Sequence, residues 1–271
     1  MSSKNSEGKR TARERMAQER ARQQAVDRRK RVMIIAGSVV AVLVVVAVIG
    51  VIVGMSKTNK KKGPWKSALT KPASAPANLS SDGLGITVGS NPNAPTLIMY
   101  EDFRCPICHE VEKALGPTMR AMADAGTIKI DYHIASFLDG KLGGNGSKYA
   151  ANAAGCAQTA GKFAPYHDTL YANQPDELDD KFSSRSYLLD LAGKVDGLRT
   201  PQFDTCVNDL SYASWVDNVE NNFQDAKIGN TRVTGTPSAG VNGKPITLVV
   251  QGRGLATPDE LRAQIEAAIK S

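Results

Sequence analysis
The sequence predicts an α/β domain with an all-helical insertion, preceded by a single transmembrane helix. Three observations carry this expectation. Residues 32–55 form a 24-residue run without a charge, rich in Val and Ile. Farther on, a strand-prone segment passes directly into Cys105-Pro106-Ile107-Cys108 and an amphipathic helical pattern, the handover of an α/β unit. Strand signals then lapse over about residues 140–230, where helical spacing dominates, and return as a hairpin and a last helix.

The chain has 271 residues, ample for one large domain. Residues 1–31 carry 11 Lys/Arg against 4 Asp/Glu and read as a basic cytoplasmic tail. At a rise of about 1.5 Å per residue, the run 32–55 reaches roughly 36 Å, enough to cross a hydrocarbon core of about 30 Å. It outlasts the roughly 7–15 apolar residues of a cleaved signal, and no small-x-small site follows closely, so it is expected to remain as an anchor. Residues 56–80 hold six Lys, three Pro and no acid, the composition of a flexible tether. Residues 81–271 hold 17 basic and 23 acidic residues. The formal charge of +7 thus belongs to the flanks of the apolar run, and the acidic domain argues against a nucleic-acid groove. Eight Lys/Arg in the twenty residues before the run, against six after it, favour a cytoplasmic N-terminus. All four cysteines lie beyond the anchor, as expected of an oxidising, extracytoplasmic side.

Within the domain, short strands are expected at 86–88 and 96–100, the second protected from helix by Pro95. Val111, Leu115, Met119 and Met122 recur at helical spacing over 110–125, and Pro106 suits the first turn, where its missing N–H costs little. A strand follows at 127–134. Helical patterns cover 148–161, 164–172, 184–194, 200–209 and 212–228. Strands at 238–241 and 246–251 flank the turn signal Asn242-Gly243, and Thr257 with Pro258 opens a helix to residue 270.

The chemistry rests on Cys105 and Cys108. A cysteine at a helix N-terminus faces free backbone N–H groups and the positive end of the helix dipole, which stabilise its thiolate. Two cysteines three apart close a small exchangeable disulfide, the first attacking and the second resolving. Cys105 to His109 also matches a c-type haem attachment pattern, and a zinc half-site or a structural disulfide are further readings of the pair. His109 stands one turn after Cys105, where it tunes the thiolate or merely sits at the surface. His133 and His167 are isolated and read as structural or exposed. Asp176, Glu177, Asp179 and Asp180 lack the spacing of a cation loop and read as solvated, so no metal is expected. With Cys105 and Cys108 as the local pair, Cys156 and Cys206 remain as one intramolecular disulfide across the helical block, or as two buried free thiols.

The segment from Ala94 through Tyr100-Glu101-Asp102-Phe103-Arg104 to Cys105-Pro106-Ile107-Cys108, with Val233-Thr234-Gly235-Thr236-Pro237-Ser238 downstream, resembles the DsbA-like thioredoxin-fold family. The resemblance covers residues 84–271 and implies a thioredoxin-like fold with a helical insertion. It implies Cys105 as nucleophile, Cys108 as resolving thiol, Pro237 as the cis-proline facing them, and Thr236 as the backbone offered to an extended substrate. Ile107 departs from the His of well-known oxidases of the family. The implied activity is that of a protein disulfide oxidoreductase acting without a cofactor as a membrane-tethered monomer. An oxidase of reduced or unfolded secreted proteins is favoured over a reductase or isomerase, or a non-redox chaperone. Its reoxidising partner would be a quinone-linked membrane protein of the DsbB or vitamin K epoxide reductase-like kind.

Overall fold
A computed structural model describes residues 63–270. The basic tail and the expected membrane-spanning run lie outside the described residues. Among the described residues, no helix is long and apolar enough to cross a membrane.

The first described element corrects an expectation. A one-turn helix, α1 (Pro64–Ala68), buries Trp65 and Ala68, and Trp65 stacks on Tyr149 with ring centroids 5.9 Å apart. Lys71 Nζ donates to the Asp209 carbonyl at 2.9 Å, and Gln158 Nε2 donates to the carbonyls of Ala77 and Asn78 at 3.3 and 3.1 Å. From Pro64 onward the segment expected to be flexible is therefore packed on the domain. One large aromatic ring removed from water outweighs the Lys- and Pro-rich composition around it.

Five strands form the main sheet, in the order β1-β3-β2-β6-β7. β2 (Thr96–Glu101) and β3 (Lys129–Ile134) run parallel at its centre, with Leu97 opposite Ile130 and Met99 opposite Tyr132. β1 (Ile86–Val88) pairs antiparallel with β3, and β6 (Ser238–Val241) antiparallel with β2. β6 turns into β7 (Lys244–Ile246) through Asn242 and Gly243, both at positive φ (51° and 73°), as a tight hairpin requires. The crossover from β2 to β3 is α2 (Pro106–Asp124), whose buried face carries Cys108, Val111, Leu115, Met119 and Met122. Each such side chain contributes about 1.5–3 kcal/mol on burial. The strand expected at 127–134 begins at Lys129, because Thr127 and Ile128 bond back to the Met122 carbonyl at the end of α2.

The insertion comprises α3 (Leu138–Leu142), α4 (Gly146–Thr159), α5 (Phe163–Ala172), α6 (Arg185–Ala192), α7 (Pro201–Asn208) and α8 (Ala213–Gln224). α4 is buried on nearly every side and built largely from small residues, five of them Ala, so its neighbours approach closely. A Cβ at Gly155 would meet Pro76 at 2.9 Å and Trp215 and Tyr212 at 3.2 Å. Ser184 and Thr200 cap α6 and α7 with their hydroxyls. Cys156 on α4 and Cys206 on α7 are joined in a disulfide, their Cα atoms 5.9 Å apart.

Two expected elements divide. The helix at 212–228 stops at Gln224, and β4 (Lys227–Ile228) pairs with β5 (Thr231–Arg232) as a separate ribbon. Ile228 there packs with Tyr100, Phe223 and Val233 in a second small core. The strand at 246–251 ends at Ile246, because the Thr247 N–H turns to Gln264 Oε1 at 2.8 Å. β8 (Val249–Val250) then pairs with β9 (Gly254–Leu255). α9 (Pro258–Ile269) opens with a reciprocal cap between Thr257 and Glu260.

Candidate active site
β2 ends at Glu101, and four residues later Cys105 occupies the N-cap of α2 in an extended conformation. Pro106 takes the first helical position, and the N–H groups of Ile107 and Cys108 face the Cys105 sulfur. Both cysteines are free thiols; Cys105 retains 6% exposure and Cys108 none. Thr236-Pro237 is cis, and the Thr236 carbonyl accepts from Cys105 Sγ at 3.4 Å. The structure thus brings together Cys105, Cys108, Thr236 and Pro237, which lie 131 residues apart in sequence at their closest contact. Ile107, 49% exposed, forms an apolar lip beside the thiols.

The two thiols are poised in opposite directions. The Cys105 thiol is pulled down from 9.0 to about 6, first by a hydrogen bond from the Cys108 thiol, with the Thr236 side chain and the N–H groups of Cys108 and Ile107 adding to it against burial. The Cys108 thiol is held well above its ordinary value by burial, by its hydrogen bond and charge interaction with Cys105, and by the Glu101 carboxylate.

Beneath the thiols lies a cluster that sequence reasoning missed. Glu101 Oε2 lies 2.8 Å from His167 Nε2, and both side chains are fully buried. Burial pushes Glu101 up to about 7; burial and the neighbouring Glu101 push Glu112 up to about 8; burial pushes His167 down to about 4. Arg120 bonds to Glu112 at 3.4 Å and to Asp168. Ligand atoms of Glu101, Glu112 and His167 lie within 4.8 Å of one another, spacing that would suit a metal ion. The Arg120 guanidinium already supplies a cation there, so the cluster reads instead as two carboxyl groups sharing a proton. A signal was present: Glu112 interrupts the apolar stripe at Cys108, Leu115 and Met119, one turn after Cys108. His167, expected to be structural or exposed, joins this cluster. Glu112 and Arg120 also line a groove of about 780 Å³ with Lys113, Pro117 and Asp168.

A second buried charge precedes the nucleophile. Arg104 pairs with Asp139 at 2.9 Å and Asp180 at 3.3 Å and donates to the Gly143 carbonyl at 2.7 Å. Asp180 therefore leaves the group of solvated acids; Asp176, Glu177 and Asp179 are exposed. Asp102, fully buried and pushed up by burial to about 7, accepts from the Ser147 hydroxyl at 2.6 Å and from the N–H groups of Arg104 and Leu138.

His109 does not reach the thiolate. Its Nδ1 bonds the Tyr171 carbonyl at 2.7 Å, joining α2 to α5. The haem reading fails on this geometry, because Cys108 has no exposed surface to offer a haem vinyl group. The zinc half-site lacks its second pair, since Cys156 and Cys206 are bonded to each other. His133 lies 3.6 Å from Asp131 and 3.9 Å from Asp82, away from the thiols.

A dithiol at the mouth of a strand–helix junction, faced by a cis-proline loop, defines a thiol–disulfide oxidoreductase of DsbA type. The chain belongs to the thioredoxin family, whose model, described as Thioredoxin, matches residues 81–267. Among solved structures it is similar to the reduced disulfide bond oxidoreductase DsbG of Mycobacterium tuberculosis, with 26% identity and a TM-score of 0.56 over 69% of this chain and 88% of that one. It is also similar to oxidised DsbA of the same organism, with 26% identity and a TM-score of 0.55 over 69% of this chain and 93% of that one. Oxidised BdbD of Bacillus subtilis shares the fold at 22% identity and a TM-score of 0.56, over 73% of this chain and 98% of that one. No curated protein matches the chain in sequence.

Proposed function
We propose that this chain is a membrane-tethered, extracytoplasmic oxidase that introduces disulfides into secreted or cell-surface proteins. The observation that carries the reading is the opposed poise of the thiols. A Cys105 thiolate held down to about 6 favours the dithiol form, and a protein whose reduced form is stabilised gives up its disulfide readily. The mycobacterial DsbG structure, described as a disulfide bond oxidoreductase, supports thiol–disulfide exchange as the chemistry. The apolar run 32–55, with its basic preceding arm, supplies the anchor.

The reaction balances on thiols alone. A substrate thiolate attacks Cys105 Sγ of the Cys105–Cys108 disulfide, forming a mixed disulfide and expelling Cys108 as thiolate. Buried and above its ordinary pKa, that thiolate takes up a proton, and the Glu101–Glu112 pair beneath it is a store for one. A second substrate thiolate attacks the substrate sulfur, closing the product disulfide and releasing Cys105 as the stabilised thiolate. The backbone of Thr236 offers an extended substrate a partner beside the thiols. A quinone-linked membrane protein then removes the two electrons.

Trapping the in-cell redox state of Cys105 and Cys108 with an alkylating reagent tests this. A predominantly disulfide-bonded pair is expected; a predominantly dithiol pair makes the protein a reductase or isomerase. Cys105→Ser should abolish its cellular activity, which a non-redox chaperone would retain.

A further inference from the structure
The end of α5 and the residues just after it grip the catalytic segment at four points, and all four belong to the insertion rather than to the sheet. The Tyr171 carbonyl accepts from His109 Nδ1 at 2.7 Å, and the Tyr171 hydroxyl donates to the Asp102 carbonyl at 3.5 Å. One turn on, the amino group of Gln174 donates to the carbonyls of Phe103 at 2.8 Å and Cys105 at 3.0 Å. The loop after Gln174 is tied to the same segment, since Arg104 Nη2 donates to the Glu177 carbonyl at 3.1 Å. We propose that Gln174 is the positioning residue of the nucleophile, a donor from the helical insertion that fixes the 103–105 turn and sets the reactivity of Cys105.

The chemistry follows from what surrounds the sulfur. Cys105 stands at the N-cap of α2, and the turn before it is held by the Arg104 N–H bonded to Asp102 Oδ1 at 2.9 Å and by the Cys105 N–H bonded to the Asp102 carbonyl at 2.9 Å. The Cys105 carbonyl receives its helical bond from the His109 N–H at 3.2 Å, leaving a lone pair that Gln174 occupies. The Phe103 and Cys105 carbonyl oxygens, on the backbone that carries the sulfur, hold partial negative charge that opposes a thiolate there. A single amino group facing both offsets their partial negative charge and puts its own positive end beside the site. The same two bonds keep the turn directed at Thr236. Gln174 touches the reacting residue's backbone and not its sulfur, so it acts through the turn.

This inference rests on the reading of Cys105 as the nucleophile, and the test separates the two. Alkylation of Cys105 in the reduced full-length protein is followed against pH for the native chain and for Gln174→Met, Gln174→Glu and Gln174→Lys, each checked for folding by its thermal melt. Gln174→Met keeps the length and removes the donor. It should alkylate about threefold more slowly at pH 6.5, the effect of a one-unit rise in thiol pKa, and rejoin the native rate near pH 9. Gln174→Glu should be slower still, and Gln174→Lys, which keeps donors and adds positive charge, should match or exceed the native rate. A merely structural glutamine predicts equal losses in Glu and Lys variants, and that result overturns the proposal, as does a Met profile superimposed on the native one. Should Gln174→Met fail to fold, the Glu and Lys pair decides alone. If native Cys105 reacts no faster than Cys108, the nucleophile assignment itself fails and the inference falls with it.

Discussion
At the scale of the residue, two identical thiols three positions apart differ because Cys105 receives a hydrogen bond from the Cys108 thiol and the N–H groups of its own helix turn, whereas Cys108 has only the Asp102 N–H to set against its burial. Cys105, at the N-cap, receives N–H groups from Ile107 and Cys108; Cys108, inside the helix, meets burial and the Glu101 carboxylate. Linkage gives this a measurable sign. The folded pKa of Cys105 is depressed, so its stabilisation of the reduced protein is fully present above the ordinary 9.0 and is lost as pH falls through about 6. The oxidised protein has no titrating sulfur at this site. The melting temperature of the reduced form should therefore fall relative to the oxidised form between pH 9 and pH 5. Parallel melts of both forms measure it, and a constant difference across that range would refute the assigned thiolate. The sequence showed Cys105 and Cys108 by spacing, and Thr236 and Pro237 through the motif they stand in. It did not show Arg104 or Gln174, because what matters in each is a long-range hydrogen bond with no local pattern.

At the scale of the element, α2 joins the sheet to the insertion, and its periodicity was legible while the meaning of its one exception, Glu112, was not. The spacing of Val111, Leu115, Met119 and Met122 announces a buried face, and those residues are buried. Glu112 shares that face, where an acid reads as an error until its partners on β2 and α5 are known. The elements that divided, at 212–228 and 246–251, did so where a short ribbon competed with continuation, a contest decided by contacts with Tyr100 and Gln264 that no local pattern carries. The buried carboxyl pair leaves its mark on stability. Glu112 is pushed up to about 8, so its contribution is present below the ordinary 4.5 and is lost as pH rises through about 8. Glu112→Gln removes that loss. The stability of the variant relative to native should rise from pH 5 to pH 8, read as urea midpoints at both values. An equal gap at the two pH values would mean that Glu112 stays ionised throughout. Because Glu101 and Glu112 share one proton store for the expelled Cys108, the variant should also form mixed disulfides with substrate more slowly, in keeping with the role assigned to the pair.

At the scale of the whole molecule, the described domain is a small sheet whose catalytic turn is held from the side by a helical block inserted in its middle. That block has few strand contacts to fix it, and its central helix, α4, is built largely from small residues, so it gains less from apolar burial per residue than a Leu-rich helix would. The segment from Pro64 adds Trp65 against Tyr149, a packing contact that composition alone concealed. The Cys156–Cys206 bond adds covalent restraint between α4 and α7 across 50 residues of sequence. In the chain-entropy account, closing a loop of that length in the unfolded chain stabilises the fold by about 4 kcal/mol. For a domain of this size that corresponds to roughly 8–16 °C in melting temperature. The double variant Cys156→Ala/Cys206→Ala should lose stability of that order, measured by urea midpoint and thermal melt under oxidising conditions. Cys105 should keep its pH profile of alkylation in the fraction that remains folded, because neither sulfur of the staple touches the catalytic pair. An unchanged midpoint would show that the helical block is held by packing alone, and a shifted Cys105 profile would show that the staple reaches the site through α5.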